Sequence, residues 1–318
     1  MTPDGKVGFA IGTGRCGTLF LHQAVALEPH VSSSHERNPD NEAFHRYCKW
    51  NDLPVDDEGF LHTKADEIRA DLETHAYSFE ASPYLSLAAR ELHERFGARF
   101  VLLVRRPDRV VTSFVHKGFY RRRHMVSNVD LAAGYQRPDP DRIHTFFARI
   151  TPRGPAFRSW NEMTPTGKVA WFWKAWNERT LEVLDLLPQD CYRVVRIEDY
   201  DYERHVATCE FLGFRTQVLR EDFDALRAAR PHAFHRKRDI DAWSAQEIAE
   251  FEAQVKDLAP HFGYEWRIDR LIEQASAEKA DRRPAAPPPS RKAGPQLWNL
   301  RRNTAQWLRS LAQSIDVT

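Results

Sequence analysis

Val7-Gly8-Phe9-Ala10-Ile11-Gly12-Thr13-Gly14-Arg15-Cys16-Gly17-Thr18 decides how the rest of the chain is read. Its first five residues form a short apolar run ending at a glycine, the mark of a buried strand. Gly12 to Thr18 reads as a loop, and Leu19 to Leu27 continues as a helix until Pro29. Strand, glycine-rich loop and helix in that order open a βαβ unit. Working outward, Ala76 to Glu80 reads as a strand, and Pro83 opens a helix running to about Phe96. Arg99 to Val104 is the clearest strand, and its unbroken hydrophobicity suits burial on both faces of a parallel sheet. Pro107 occupies the first turn of the next helix, which continues to Lys117.

Further along, Cys191 to Ile197 reads as a strand and Tyr202 to Leu212 as a helix capped by Gly213. Helices are also expected over Ala65 to Thr74 and Lys168 to Leu187. Ser244 to Leu258 is amphipathic, with Ser244 as N-cap and Glu247 placed for a capping box. Gly118 to Gly167, rich in proline, glycine, arginine and aromatics, is expected to be an irregular insertion or lid. Residues 1–275 thus form one α/β domain, followed by a proline-rich linker over 276–296. An amphipathic helix over 297–316 closes the chain, with Leu297, Leu300, Trp307, Leu308, Leu311 and Ile315 at helical spacing.

A chain of 318 residues with 42% hydrophobic and 29% charged residues can build a full core, which excludes wholesale disorder. Its formal net charge of +1 gives no global attraction to nucleic acid or to anionic membranes. Anion binding must therefore come from local clusters. Cys16, Cys48, Cys191 and Cys209 are scattered without metal-ligand spacing, so no metal is expected and a reducing compartment fits. Asp4 and Lys6 interrupt the N-terminus, and no run of 18 apolar residues exists. A cytoplasmic protein without a signal peptide is expected.

Gly12 and Gly17 have the spacing of a phosphate loop, in which backbone N–H groups and a helix N-terminus cradle phosphate. In loops built for triphosphates, a lysine and then a magnesium-binding Ser or Thr follow the second glycine. Here Thr18 and Leu19 stand at those places. The geometry for one phosphate survives without the triphosphate–magnesium machinery, and Arg15 supplies a cation inside the loop. A glycine-rich turn that binds nothing is the alternative. A second motif follows the clearest strand: Arg105 at its carboxyl end, then Pro107, with Ser113 eight residues on. Open α/β sheets bind ligands at such strand ends.

The two motifs together resemble the paired signatures of the PAPS-dependent sulfotransferases, PAPS being 3′-phosphoadenosine-5′-phosphosulfate. Gly12, Thr13, Gly14, Arg15, Cys16, Gly17 and Thr18 look like the 5′-phosphosulfate loop of that family. Arg105 and Ser113 look like its 3′-phosphate motif, and Arg236-Lys237-Arg238 like its late basic segment, with a solvated charge run as the alternative. Weaker stretches in matching order are Phe79 to Tyr84, Val195 to Asp199, Phe211 to Phe214 and His261 to Tyr264. The resemblance spans roughly residues 6–265. It implies a three-layer α/β sandwich around a parallel sheet, related to nucleotide kinases, with PAPS as co-substrate and PAP as product. It further implies two anchoring points set an adenosine's width apart.

Sulfuryl transfer needs in-line placement, charge relief on the leaving phosphate and a base for the acceptor. Arg15 is the candidate for charge relief. Glu36, 21 residues after Arg15 and beyond the first crossover helix, is the candidate base. An arginine loop with a glutamate at that spacing resembles the tyrosylprotein and some carbohydrate sulfotransferases. Glu80 is the rival base, His35 and His116 are outsiders, and a surface carboxylate is the alternative for Glu36. Tyr120, Arg121, Arg122, Arg123, His124, Tyr135 and Trp160 suit a carbohydrate or other small hydroxylated acceptor. A basic loop over the nucleotide is the other reading of them. Trp171, Trp173 and Trp176 are expected in the core. The C-terminal helix is expected to dock on its own domain or a partner, with membrane contact the lesser alternative. A phosphoryl-transferring kinase, or a non-catalytic nucleotide or glycan binder, would fit the same fold class. The acceptor's identity and the oligomeric state stay open.

Overall fold

A computed structural model describes residues 6–120, 150–229 and 240–281, with side chains of the last helix described up to residue 274. The chain divides into a compact unit over residues 1–273 and a second over 274–318. Arg236, Lys237, Arg238, the expected linker beyond residue 281 and the helix expected over 297–316 lie outside the described residues. So do Arg121, Arg122, Arg123, His124 and Tyr135. Residues 276–281, expected to be linker, continue a helix.

Five strands, β1 (Val7–Gly12), β2 (Val31–His35), β3 (Tyr77–Ala81), β4 (Arg99–Val104) and β5 (Tyr192–Arg196), form one sheet in the order β2-β3-β1-β4-β5. Every neighbouring pair is parallel. Parallel strands need a crossover between them. These are α1 (Thr18–Val25), then α2 (Pro39–Asn51) with α3 (Asp57–Leu72), then a 3-10 turn (Pro83–Ala88) leading into α4 (Ala89–Phe96). After β4 come α5 (Pro107–His116), α6 (Ala156–Glu162) and α7 (Pro165–Leu184). Helices α8 (Tyr202–Leu212), α9 (Arg220–Ala229), α10 (Ala245–Val255) and α11 (Ile268–Asp281) follow β5.

Successive side chains of a strand point to opposite faces, and the core divides accordingly. Phe9, Ile11, Phe100, Leu102 and Val104 pack with α3, α4, α5, α7 and α10. Ala10, Phe79, Val101 and Leu103 pack with α1, α8 and α9. The chain is therefore an α/β three-layer sandwich around a parallel sheet, as expected from β1 and β4. Trp173 and Trp176 are fully buried in the larger core, while Trp171 is only partly buried against it.

The boundaries differ from expectation in four places. Helix α3 begins at Asp57, eight residues before Ala65, because Asp56 accepts from the Gly59 amide as its N-cap. Helix α7 begins at Pro165, not Lys168, with the Thr164 hydroxyl capping Gly167. The stretch expected to be irregular up to Gly167 holds α6 and the first turn of α7. Helices α2, α9 and α11 were not anticipated at all.

The helix after β1 lies on one face of the sheet and the helix after β4 on the other. Strand ends whose chains diverge in this way open a crevice, the usual ligand position of such sheets. Gly12 stands there opposite Leu103, with φ +155° and room for no side chain: a Cβ would lie 2.5 Å from the Leu103 carbonyl oxygen. Gly12→Ala should cost about 2 kcal/mol or more, measurable as a lowered urea midpoint at unchanged slope.

Candidate active site

Adjacent pairing of β1 and β4 brings the two sequence motifs into contact. Arg15 Nε donates to Ser113 Oγ at 2.9 Å, and Arg105 Nη1 donates to the Arg15 carbonyl at 2.9 Å. Arg15, Ser113 and Arg105, expected to belong to two anchors an adenosine's width apart, are thus in direct contact. Neighbouring strands of a sheet are only about 4.8 Å apart, so groups leaving their ends stand close together.

The loop itself is bent by left-handed backbone at Gly14, Arg15 and Gly17, with φ of +76°, +55° and +108°. At Gly17 a Cβ would sit 2.5 Å from Ile197 Cγ1. Arg15 has no such excuse of size, and its conformation costs roughly 1–2 kcal/mol. Its bonds to Arg105 and Ser113 hold it there. Burial, and then the charge of Arg105, keep the Arg15 pKa below the ordinary guanidinium value. Two guanidinium groups held together in a half-buried crevice make a site whose electrostatics favour an anion.

Thr13 turns its hydroxyl to the Gly14 carbonyl. Cys16 is fully buried, which raises its thiol pKa. Thr18, where a triphosphate loop has lysine, is 4% exposed and its hydroxyl lies 3.2 Å from His35 Nε2. The indole N–H groups of Trp176 and Trp173 brace the crevice, donating to the Gly12 and Arg105 carbonyls at 2.8 and 3.1 Å. Arg106, beside Arg105, is tied instead to Asp108 and through its amide to Glu198.

Glu36 directly follows β2 and its side chain is about one-third exposed. Its backbone is left-handed too, φ +48°, and its amide donates to the Ala81 carbonyl at 3.1 Å. Burial, and then the charge of Glu42, push the Glu36 pKa up, while Arg46, Arg15 and Lys117 pull it back. Glu36 and Arg15 thus share one electrostatic neighbourhood. Among the described non-glycine residues only Arg15, Glu36, Asp52 and Tyr120 are left-handed, so both candidate catalytic residues belong to this strained minority. Such outliers concentrate at functional sites.

The outsiders and the rival are placed differently. His35 Nε2 is 3.8 Å from Glu36 Oε1, and His116 is exposed at the end of α5. Glu80 is 4% exposed: Oε1 accepts from the Arg37 amide at 3.0 Å and Oε2 from Lys64 Nζ at 2.9 Å. Lys64 also donates to Glu42, whose other oxygen accepts from the Ser82 hydroxyl. Sequence reasoning missed Lys64, Glu42 and Arg46 because they are charged residues turned inward. Arg46 is 3% exposed, its guanidinium 4.6 Å from the Tyr84 ring centre and 5.1 Å from that of Trp176. The one available signal was the run Glu42-x-x-His45-Arg46 on a helix otherwise poor in apolar residues.

No family model matches the chain, and no curated protein does. Among solved structures it is similar to the sulfotransferase domain from the Synechococcus PCC 7002 olefin synthase. That likeness has 14% identity and a TM-score of 0.39, covering 89% of this chain and 98% of that one. It is also similar to the sulfotransferase domain from the curacin biosynthetic pathway, at 14% identity and a TM-score of 0.44, covering 87% and 99%. Likenesses of this degree carry no weight for chemistry, which rests on the chain's own residues.

Burial, and then the charge of Glu42, push Glu80 up to about 7, against the pull of Lys64. A carboxyl whose pKa rises on folding stabilises at low pH and loses that contribution as pH climbs through the folded value. The melting temperature should therefore fall between pH 6 and pH 8, and Glu80→Gln should flatten that fall in a thermal scan at each pH.

Proposed function

We propose that the chain is a PAPS-dependent sulfotransferase. The Arg15–Ser113 contact carries this reading, because it fuses the phosphate loop and the second anion motif into one basic cradle. A donor that carries phosphates at both the 3′ and the 5′ position of one ribose suits two anion sites side by side. The backbone donors of Gly14 to Thr18 with Arg15 would hold the 5′ side, and Arg105 with Ser113 the 3′ side. A kinase reading is disfavoured by Thr18, which is buried and engaged with His35 where a phosphate-binding lysine is needed.

In the reaction an acceptor hydroxyl attacks sulfur. The sulfur–oxygen bond to the 5′-phosphate breaks, and PAP leaves with the electron pair. Glu36 takes the hydroxyl proton, and Arg15 stabilises the negative charge gathering on the leaving phosphate. Glu80 is excluded from the base role in this scheme by its bonds to Lys64 and the Arg37 amide. The acceptor class we favour is a carbohydrate or another small hydroxylated molecule, bound beside Glu36 near Tyr84. No helix among the described residues is long and apolar enough to cross a membrane, and the four cysteines are free thiols. Free thiols accord with a reducing compartment such as the cytoplasm.

Calorimetry should find PAP bound more tightly than AMP, and Arg105→Ala should weaken PAP about tenfold to a hundredfold. Equal affinity for PAP and AMP would remove the assignment. Glu36→Gln should keep PAP affinity while lowering label transfer from PAPS to acceptors in a cell extract by about 10²–10⁴. Because Glu36 works ionised and its pKa is raised, the wild-type rate should fall with decreasing pH at a point above the ordinary carboxylate range. Binding of PAP by Glu36→Gln and Arg15→Ala variants, with no transfer by the wild type to any extract, would mark a non-catalytic binder instead.

A further inference from the structure

A second cluster of chemically capable groups lies away from the crevice. Glu28, just after α1, meets His205 and Cys209 of α8 inside the smaller core, and the three are 1%, 0% and 0% exposed. His205 and Cys209 are four residues apart on one helix, which stacks their side chains on the same face. His205 Nε2 is 3.2 Å from Glu28 Oε1, Cys209 Sγ is 3.6 Å from His205 Nε2, and Cys209 Sγ is 3.9 Å from Glu28 Oε1.

We propose that Glu28, His205 and Cys209 form a buried structural zinc site. Zinc–ligand bonds of about 2.0–2.1 Å to nitrogen, 2.0–2.2 Å to oxygen and 2.3 Å to sulfur, set at tetrahedral angles, require ligand separations of about 3.3–3.6 Å. The observed triangle meets this with a shift of a few tenths of an ångström at Cys209. The mixture of carboxylate, imidazole and thiolate selects zinc over the hard oxygen-binding cations.

Surrounding bonds orient the ligands as metal sites require. The Tyr200 hydroxyl lies 3.2 Å from His205 Nδ1, leaving Nε2 for the metal. The Gln217 amide donates to Glu28 Oε2 at 2.7 Å, and the Thr216 hydroxyl donates to Oε1. Charge makes the second argument. Among the described residues no lysine or arginine pairs with Glu28, whose ionic partner is His205. A dication held by one carboxylate, one thiolate and one neutral imidazole is electrically neutral, the least costly charge state for a fully buried site. On binding, Cys209 gives up its thiol proton to solvent. The cysteines' scattered spacing argued against any metal, but the third ligand comes from 177 residues before His205, beyond the reach of a spacing rule. The zinc would staple the end of the phosphate-loop helix to α8 and to the 216–217 turn.

Metal analysis of the full chain, produced with zinc and then dialysed against metal-free buffer, tests this without any activity assay. About one zinc per chain is expected, and cobalt replacement should give a tetrahedral visible spectrum with a thiolate-to-cobalt band in the near ultraviolet. Cys209→Ser, nearly isosteric, should abolish that band, and chelation should lower the melting temperature of the wild type but not of Cys209→Ser. Chains retaining less than about a tenth of a zinc, or a cobalt band that persists in Cys209→Ser, overturn the proposal. The cluster would then be a hydrogen-bonded Glu–His–Cys core triad. Loss or retention of zinc is independent of PAP binding, so either reading can fail alone.

Discussion

Parallel pairing of β1 with β4, Gly12 against Leu103, is the constraint on which the candidate site depends. Two segments nearly a hundred residues apart in sequence leave the sheet side by side and in the same direction. Their helices then turn to opposite faces, so the loops stand at the gap between them. The loops place two arginines there. Like charges in a crevice repel, and here Arg15 is held by the Ser113 hydroxyl and Arg105 by the Arg15 carbonyl oxygen, with the charges of Glu36 and Glu198 offsetting part of the repulsion. Two guanidinium groups side by side favour an anion.

The opposite charge arrangement stands behind Glu36. Even-numbered residues of β3 face α2 and α3, and there Glu80 joins Glu42 and Glu67 around the single ammonium of Lys64. Burial alone would lower the Lys64 pKa, but the three carboxylates outweigh it and hold the ammonium charged. Burying such a cluster is a poor way to gain stability, since desolvation offsets most of the attraction. Its effect is on geometry. The carboxylates reach the amides of Arg37 and Asn38, at 3.0 and 3.2 Å, and the hydroxyl of Ser82.

That inward polarity also explains what the sequence could and could not reveal. Strands β1 and β4 were legible because both faces are apolar, and α8 and α10 because Gly213 and the Ser244–Glu247 box mark their ends. Helix α2 was not, since the residues it buries include Glu42, His45 and Arg46, which invert the pattern that hydrophobic periodicity reads. The start of α3 was lost for a related reason, with Lys64 inside and an acidic first turn. For the site, Arg15, Arg105 and Ser113 were nominated by local spacing, whereas their mutual contact needed the sheet register. Glu36 was found by its distance from Arg15, but Lys64, Glu42 and Arg46 contribute only through tertiary contacts. Glu28, His205 and Cys209 belong to the same class.

Arg15 and Glu36 share a left-handed backbone. A non-glycine residue pays about 1–2 kcal/mol for that conformation, and a loop left to itself would relax. At Arg15 the restraint is the Arg105 guanidinium on its carbonyl and Ser113 on its side chain. At Glu36 it is a row of three consecutive amides, each fixed by a separate acceptor: the Ala81 carbonyl, Glu80 and Glu42. Both acceptor carboxylates are in turn fixed by Lys64. A carboxylate presented beside a cationic cradle would otherwise swing onto the nearest guanidinium and neutralise it. Holding its backbone from behind keeps Glu36 within the field of Arg15 while leaving its side chain one-third open to solvent, as the base role proposed for it requires.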